Sequence, residues 1–439
     1  MPTHRMSSAA TAILLLLLAA CQSEEAPPIP EQQDSLVFVG AHVFDGTGAR
    51  WIEEATIVVQ HGRIRAIGAR EATTVPAGAQ VIDLAGKYVI PGLINAHGHV
   101  GLAEGLQSGP EAYNRANVYE QLRLYARYGI TTVLSLGSEG TDDLETQALR
   151  ESPENDRARL FRSGPVLAPS SPEEATALVD QRAAQQVDFI KIRVDDNLGR
   201  TQKMTEAIYR AVIARAHEVD LPVAAHIFYL EDATRLLESS VDFLAHSVRD
   251  QAVGETLINA LIEKDICLCP TLVREVSTFV YESTPAFFED PFFLRSADPS
   301  ILAQLSEPDR QAQVRASESA QRYKETLRVA QSNLKQLARG GVTIAFGTDS
   351  GPPGRFQGYF EHLEMQLMQE AGLTPHQILL SATRDAARCL GLDEHLGTLE
   401  RGKWADFVVL DQDPLLDILH LRAIHSVWIA GNRVLEEGA

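Results

Sequence analysis

Eight short apolar segments recur through the middle of this chain, and helical patterns separate most of them. They are Val89–Val100, Thr131–Gly137, Arg159–Val166, Val187–Val194, Pro222–Phe228, Val241–Val248, Ile266–Val273 and Val342–Asp349. Thr205–Val219 and Arg315–Ala338 are examples of the helical patterns between them. Eight strands alternating with helices over about 300 residues predict an α/β fold of the (β/α)8 TIM-barrel type.

Such barrels carry their chemistry at the C-terminal ends of the strands. The first segment ends in Asn95-Ala96-His97-Gly98-His99. Side chains alternate along a strand, so His97 and His99 face the same way, close enough to share one metal ion. The fourth segment contributes Lys191, the fifth His226, the sixth His246 and the eighth Asp349. A single buried histidine is usually a satisfied core residue. Six ionisable groups, each at a strand end among apolar neighbours, instead call for partners or a metal.

Both ends of the folded region read as short strands. Ser35–Phe44, Thr56–Gln60, Arg63–Ile67 and Val81–Leu84 open it, with turns at Asp45-Gly46 and His61-Gly62. Phe407–Asp411 and Ile424–Ala430 close it, with a Gly431-Asn432 hairpin turn. The two ends are expected to pair into one small β-sandwich. The boundaries expected are 35–90 and 396–439 for the sandwich and 91–395 for the barrel. A formal net charge of -20 argues against nucleic acid as a partner, because phosphate backbones are repelled.

With these motifs in order, the chain resembles the metal-dependent amidohydrolase superfamily. The resemblance is carried by KYVIPGLINAHGHV, FIKIRV, AAHIF, FLAHSV, IAFGTDSG and, near the C-terminus, LGTLERGKWADFVVLDQDPL. It implies a barrel beside a sandwich built from both chain ends. It also implies two divalent ions, zinc first and manganese or iron as alternatives. His97, His99 and Asp349 would hold one ion, and His226 and His246 the other. Lys191 would bridge the two as a carbamate, because an ammonium cannot ligate a cation. A lysine paired with Asp195 or Asp196 is the alternative. The resemblance further implies attack by a hydroxide held between the ions, with Asp349 moving its proton to the leaving amine.

One departure is Asn95, where many members carry Asp. Asn occurs there in a deaminase branch that usually holds one metal and has a glutamate soon after the fifth-strand histidine. Here Ile227, Phe228 and Tyr229 follow His226, so that branch is poorly matched.

Two residues are candidates for substrate binding. Arg193 shares a strand face with Lys191 and suits a carboxylate, or else pairs with Asp195 or Glu173. Tyr229 either bonds the same group or packs under its loop. Segment 274–311, rich in phenylalanine, should overhang the barrel mouth as an apolar lid or form an interface in a homo-oligomer. The function expected is hydrolysis of an amide or peptide C–N bond in a small molecule, a dipeptide or N-acyl amino acid. A cyclic-amide or lactone hydrolase is the alternative, and a non-catalytic binding lipoprotein a remote one.

The N-terminus reads as a targeting segment. His4 and Arg5 precede an apolar stretch from Ala9 to Ala20, too short to span a bilayer. Leu18-Ala19-Ala20-Cys21 resembles a bacterial lipoprotein box, which implies a lipidated Cys21 anchored in a membrane. Gln22 resembles the outer-membrane sorting pattern, so the expected location is the periplasmic face of the outer membrane. Residues 1–20 would be the signal peptide and 21–34 a flexible tether. Cys267, Cys269 and Cys389 lack CxxC spacing, so buried free thiols are expected rather than a disulfide.

Overall fold

The computed structural model describes residues 35–48, 51–137, 140 and 144–435. The expected signal peptide, Cys21 and the tether lie outside these residues. No described helix is long and apolar enough to cross a membrane.

Five strands open the described chain: β1 (Leu36–Val43), β2 (Ile52–Gln60), β3 (Arg63–Ala69), β4 (Gln80–Asp83) and β5 (Tyr88–Pro91). The parallel region then begins with β6 (Leu93–Gly98). A small ribbon follows, β7 (Ala103–Glu104) with β8 (Gln107–Ser108). Next come β9 (Ile130–Ser135), β10 (Arg159–Arg162), β11 (Ile190–Arg193), β12 (Val223–His226), β13 (Phe243–Ala245) and β14 (Cys267–Cys269). The chain ends with β15 (Phe407–Leu410), β16 (Ile424–Ile429) and β17 (Asn432–Arg433).

Both chain ends share one eight-stranded sheet, ordered β17-β16-β15-β5-β1-β2-β3, with β4 also paired to β1. Its covalent link to the parallel region is Gly92, where the expected Val89–Val100 strand breaks in two. A Cβ at Gly92 would lie 2.1 Å from Thr131 Oγ1, so only glycine fits that crossing. The sheet does not stay flat. β1 and β16 are three strands apart, about 14 Å in a flat sheet, yet the Phe38 and Trp428 rings lie 4.7 Å apart. It therefore curls around its own apolar core, which includes Val43, Ile57, Val89 and Phe407.

The parallel strands form two groups, β10-β9-β6 and β11-β12-β13-β14. Backbone bonds run between the groups, from Asp188 N to Arg162 O at 2.8 Å and from Leu167 N to Lys191 O at 2.8 Å. The expected eighth strand, Val342–Asp349, is not assigned as a strand. Its backbone still bonds both neighbours: Ala345 N donates to Leu268 O at 3.0 Å, and Ala96 N donates to Phe346 O at 2.8 Å. The irregularity has local causes. Phe346 N turns away to Ser381 O at 3.0 Å, and Asp349 sits at φ 60°, outside the extended region.

Helices cover these strands. Ser171 and Thr374 cap two of them through their side chains, which satisfies otherwise orphaned amides. The expected Arg315–Ala338 helix is two helices, Pro308–Ala316 and Glu318–Gly340, because Ser317 leaves the helical region and caps the second.

The cysteines correct the sequence reading. Cys267 and Cys389 form a disulfide across 122 residues, and Cys269 alone is free among the described residues. That separation hid the pair, because pairing of distant cysteines has no spacing signature. Removing a cross-link of that span costs about 2–4 kcal/mol. Cys389→Ser should therefore lower the urea midpoint of non-reduced protein, and reductant should lower the parent by a similar amount. Equal midpoints in all three samples would remove the cross-link from the stability account.

Candidate metal centre

The strand-end residues converge. His97, His99, Lys191, His226, His246 and Asp349 all line one cavity of about 310 Å³. The tightest group among the described residues is His97, His246 and Asp349, whose ligand atoms all lie within 4.8 Å of one another. His99 Nε2 is 2.6 Å from Asp349 Oδ1, and His97 Nε2 is 3.4 Å from the same oxygen. Lys191 Nζ is 3.5 Å from His97 Nε2. No ion pair joins Lys191 to Asp195 or Asp196: Asp195 Oδ2 contacts His226, and Asp196 accepts from the Tyr229 hydroxyl.

Two supporting contacts fix the orientation of the rings. Asp195 Oδ2 lies 3.1 Å from His226 Nε2, which leaves His226 Nδ1 as the second donor atom. Thr271 Oγ1 lies 2.6 Å from His246 Nδ1, which leaves Nε2 on the ring side next to His97. Hydrogen bonds of this kind commonly orient metal-binding imidazoles. His246 (φ 78°), Thr271 (φ 49°) and Asp349 (φ 60°) all occupy the left-handed region. Non-glycine residues rarely do so, at a cost of about 1–3 kcal/mol each, and such residues cluster at functional sites.

Electrostatics agree with a ligand set. Burial, reinforced by the Lys191 charge, holds His97 well below its ordinary pKa. Burial and the adjacent His226 and His97 do the same to His246, and burial takes His226 down to about 3 despite Asp195. Burial brings Lys191 down to about 7, so a neutral amine is well populated at neutral pH. Burial opposes the Asp349 carboxylate, yet Arg355 and the His99 hydrogen bond outweigh it and keep Asp349 well below the usual range.

Neutral imidazoles, an ionised carboxylate and a deprotonatable lysine make a donor set fit for a borderline divalent ion. His97 Nδ1 and His99 Nδ1 are buried without a hydrogen-bond partner, a further sign of ligand capacity not spent within the protein.

Sequence reasoning missed several residues here. Arg355 donates to Asp349 Oδ2, and Arg274 Nε lies 3.9 Å from that oxygen. Both line the cavity but sit beyond strand ends, in LVREV and GPPGRF, where strand alternation gives no direction. Asp195 and Thr271 were equally hidden, being polar residues whose partners come from other strands.

Asn95 also finds its reason. Its amide donates to Glu361 at 2.8 Å and to Thr348 at 3.0 Å, while its oxygen accepts from His97 N at 3.0 Å. An aspartate there would face the buried Glu361 carboxylate. Asn95→Asp should therefore destabilise the fold by about 1–3 kcal/mol at pH 8. Two facing carboxylates share a proton, which raises their folded-state pKa. The penalty is then full above that pKa and fades as pH falls. Urea midpoints at pH 5 and pH 8 check this, and a variant equal to the parent at pH 8 refutes it.

The substrate-side residues divide. Arg193 lines the cavity, and its guanidinium makes no hydrogen bond or ion pair to a described residue, although its charge acts on Asp195 and His226. Tyr229 does not line the cavity. Its hydroxyl donates to Asp196 at 2.8 Å and its ring centroid lies 4.0 Å from Lys203 Nζ. The phenylalanines of segment 274–311 are also placed differently from an apolar lid. Phe287 and Phe293 pack on Tyr359 at 5.3 and 4.9 Å, Phe293 also contacts Phe356, and Phe292 packs on Tyr128. From that segment only Arg274 reaches the cavity wall.

Comparison with known proteins places this architecture. Residues 88–434 match the amidohydrolase family, and the chain belongs to that family. It is 25% identical over 420 residues to an imidazolonepropionase of Pseudomonas savastanoi pv. phaseolicola, covering 88% of this chain and 94% of the relative. Its fold is similar to a Xaa-Pro dipeptidase with bound methionine in the active site, with TM-score 0.72 and 21% identity, covering 91% and 99% of the two chains. It is also similar to molinate hydrolase, with TM-score 0.69 and 21% identity, covering 91% and 94%. These are folds of TIM-barrel type with α/β content. The protein is a hydrolase acting on C–N bonds of small molecules.

Proposed function

We propose that this enzyme cleaves the amide or peptide bond of a small carboxylate-bearing molecule, a dipeptide or an N-acyl amino acid. The observation that carries the reading is the joint lining of one cavity by four histidines, Lys191, Asp349 and Arg193. His97, His99, His226, His246, Asp349 and a carbamylated Lys191 would hold two divalent ions, zinc first. When bound, such ions acidify water and polarise a carbonyl.

The chain's own residues do the rest. The neutral Lys191 amine adds to the carbon of carbon dioxide and loses one proton, which leaves a carbamate anion among the imidazoles. Arg355 keeps Asp349 ionised, and in the proposed reaction Asp349 carries a proton to the leaving nitrogen. Arg193 takes the substrate carboxylate in a charge-assisted pair. Asp195 and Thr271 hold the His226 and His246 rings in place. The relatives that are imidazolonepropionases favour a second reading, a cyclic-amide or lactone substrate for the same machinery.

The hydrogen bonds from Val342–Ser350 to both flanking strands support a closed barrel, and the curled terminal sheet supports a two-layer sandwich. The residue pattern ending at Cys21 supports an outer-membrane lipoprotein facing the periplasm. A disulfide is in keeping with such an oxidising compartment.

Lys191→Ala should lose most of its metal and at least about 100-fold in kcat while the fold survives. Acetate or propionate should restore part of the activity by standing in for the carbamate. Metal analysis beside kcat decides the matter: two ions per chain with near-normal turnover would replace the bridged site by another mechanism.

Arg193→Ala should raise KM for free carboxylates by about 10- to 100-fold, the equivalent of roughly 1.5–3 kcal/mol. The methyl amides of the same compounds should be little affected. An equal effect on both series would remove Arg193 from substrate binding.

A further inference from the structure

We propose that the catalytic cavity continues past Arg193 into a second binding groove, which takes an apolar side chain carried next to the substrate carboxylate. This rests on the hydrolase reading above and adds to it the class of side chain. A cleft of about 580 Å³ adjoins the cavity, and Arg193 and Val166 line both. Those two residues therefore mark the junction. Beyond them the apolar Leu167, Pro169, Met204 and Ile208 line the groove beside the polar Ser170, Thr201, Gln202 and Thr205.

Both other charged groups in the groove have an ion-pair partner, and Asp195 Oδ1 is buried without a hydrogen bond. Asp195 is taken by His226 at 3.1 Å. Lys203 bonds both oxygens of Asp232, at 2.8 and 3.0 Å, and lies 4.0 Å over the Tyr229 ring. Arg193 alone carries a guanidinium without a hydrogen bond or ion pair to a described residue. Val166, directly beside it, is one of the few large apolar side chains left exposed.

A free cation at the boundary between a polar cavity and an apolar groove matches one ligand pattern. A carboxylate lies at the junction, the bond to be cleaved points inward to the histidines, and an apolar chain points outward into the groove. An amino acid with an unbranched apolar side chain, acylated on its nitrogen, has those three parts on neighbouring atoms. A small or charged side chain would leave the groove walls wet and gain nothing from them.

The test uses the metal-loaded full chain and N-acetyl derivatives of alanine, 2-aminobutyrate, norvaline and norleucine. The expected result is a kcat/KM that climbs about tenfold for every two methylenes. Ala168→Trp, which fills the groove from an exposed wall position, should flatten that climb, as should Thr201→Trp. The readout is the ratio of norleucine to alanine derivative within each protein, with metal content measured alongside.

Turnover of the whole series with no dependence on length overturns the groove and leaves the hydrolase reading standing. A climb that survives both tryptophan variants places the side chain elsewhere and also overturns it. No turnover of any member, or of dipeptides, by metal-replete protein removes both readings together.

Discussion

The site depends on a buried carboxylate that does not line the cavity. Glu361 is fully buried and accepts from Asn95 at 2.8 Å, Thr348 at 2.7 Å and Ser350 at 2.6 Å. Asn95 belongs to the strand bearing His97 and His99, and Thr348 and Ser350 flank Asp349. One side chain thus ties together the two segments whose ligands must meet. Ser350 passes the tie on to the Tyr125 hydroxyl at 2.8 Å. Burial pushes the Glu361 carboxyl up and its donors pull it back, the balance expected of a charge kept inside by hydrogen bonds. All three bonds fall on Oε1, while Oε2 is buried without a hydrogen-bond partner, so the charge is held through one oxygen.

Charge is distributed unevenly for a purpose that the whole-chain figure conceals. The protein carries a formal net charge of -20, yet the cavity wall holds Arg193, Arg274 and Arg355 beside Asp349. Arg274 is shared with Glu275, and Arg355 is committed to Asp349. Arg193 is not committed. A cleft of one sign focuses its field toward a ligand of the other sign. On the proposed reading, an anionic small molecule is drawn past a repelling surface to Arg193.

What was legible in the sequence follows from what strand geometry can encode. Alternation fixes the face of a side chain within a strand, which covers His97, Lys191 and His226, while His99, His246 and Asp349 lie just past strand ends and were found by the rule that barrel chemistry gathers there. Alternation is silent once a strand ends. Tyr229 and Arg274 lie past their strands, and one turns away from the cavity while the other turns in. Partners distant in sequence were also out of reach: Glu361 is 266 positions from Asn95, and Cys389 is 122 from Cys267. The phenylalanines of 274–311 misled because composition reports how much apolar surface a segment has, not which neighbour buries it. Here the neighbour is the helix Tyr359–Ala371 with Phe356, within the same chain.

The irregular eighth segment and the ligand it carries are one fact rather than two. A regular strand through Val342–Ser350 would send its amides to one neighbour in sequence. Instead Ala345 N bonds Leu268 O, while Thr348 N and Asp349 N both bond His97 O, at 3.0 and 2.6 Å. Two consecutive amides can converge on one carbonyl only if the chain turns between them. Immediately after those two bonds Asp349 adopts φ 60°, which redirects the chain. The turn ends the strand and aims the carboxylate at His99 and His97. His246 and Thr271 repeat the device at two other strand ends, again with positive φ and again with their side chains in contact. Strain at these three positions is therefore the local cost of turning side chains from the sheet toward its axis. It is tolerated because the backbone bonds and the Glu361 network fix the segments on either side.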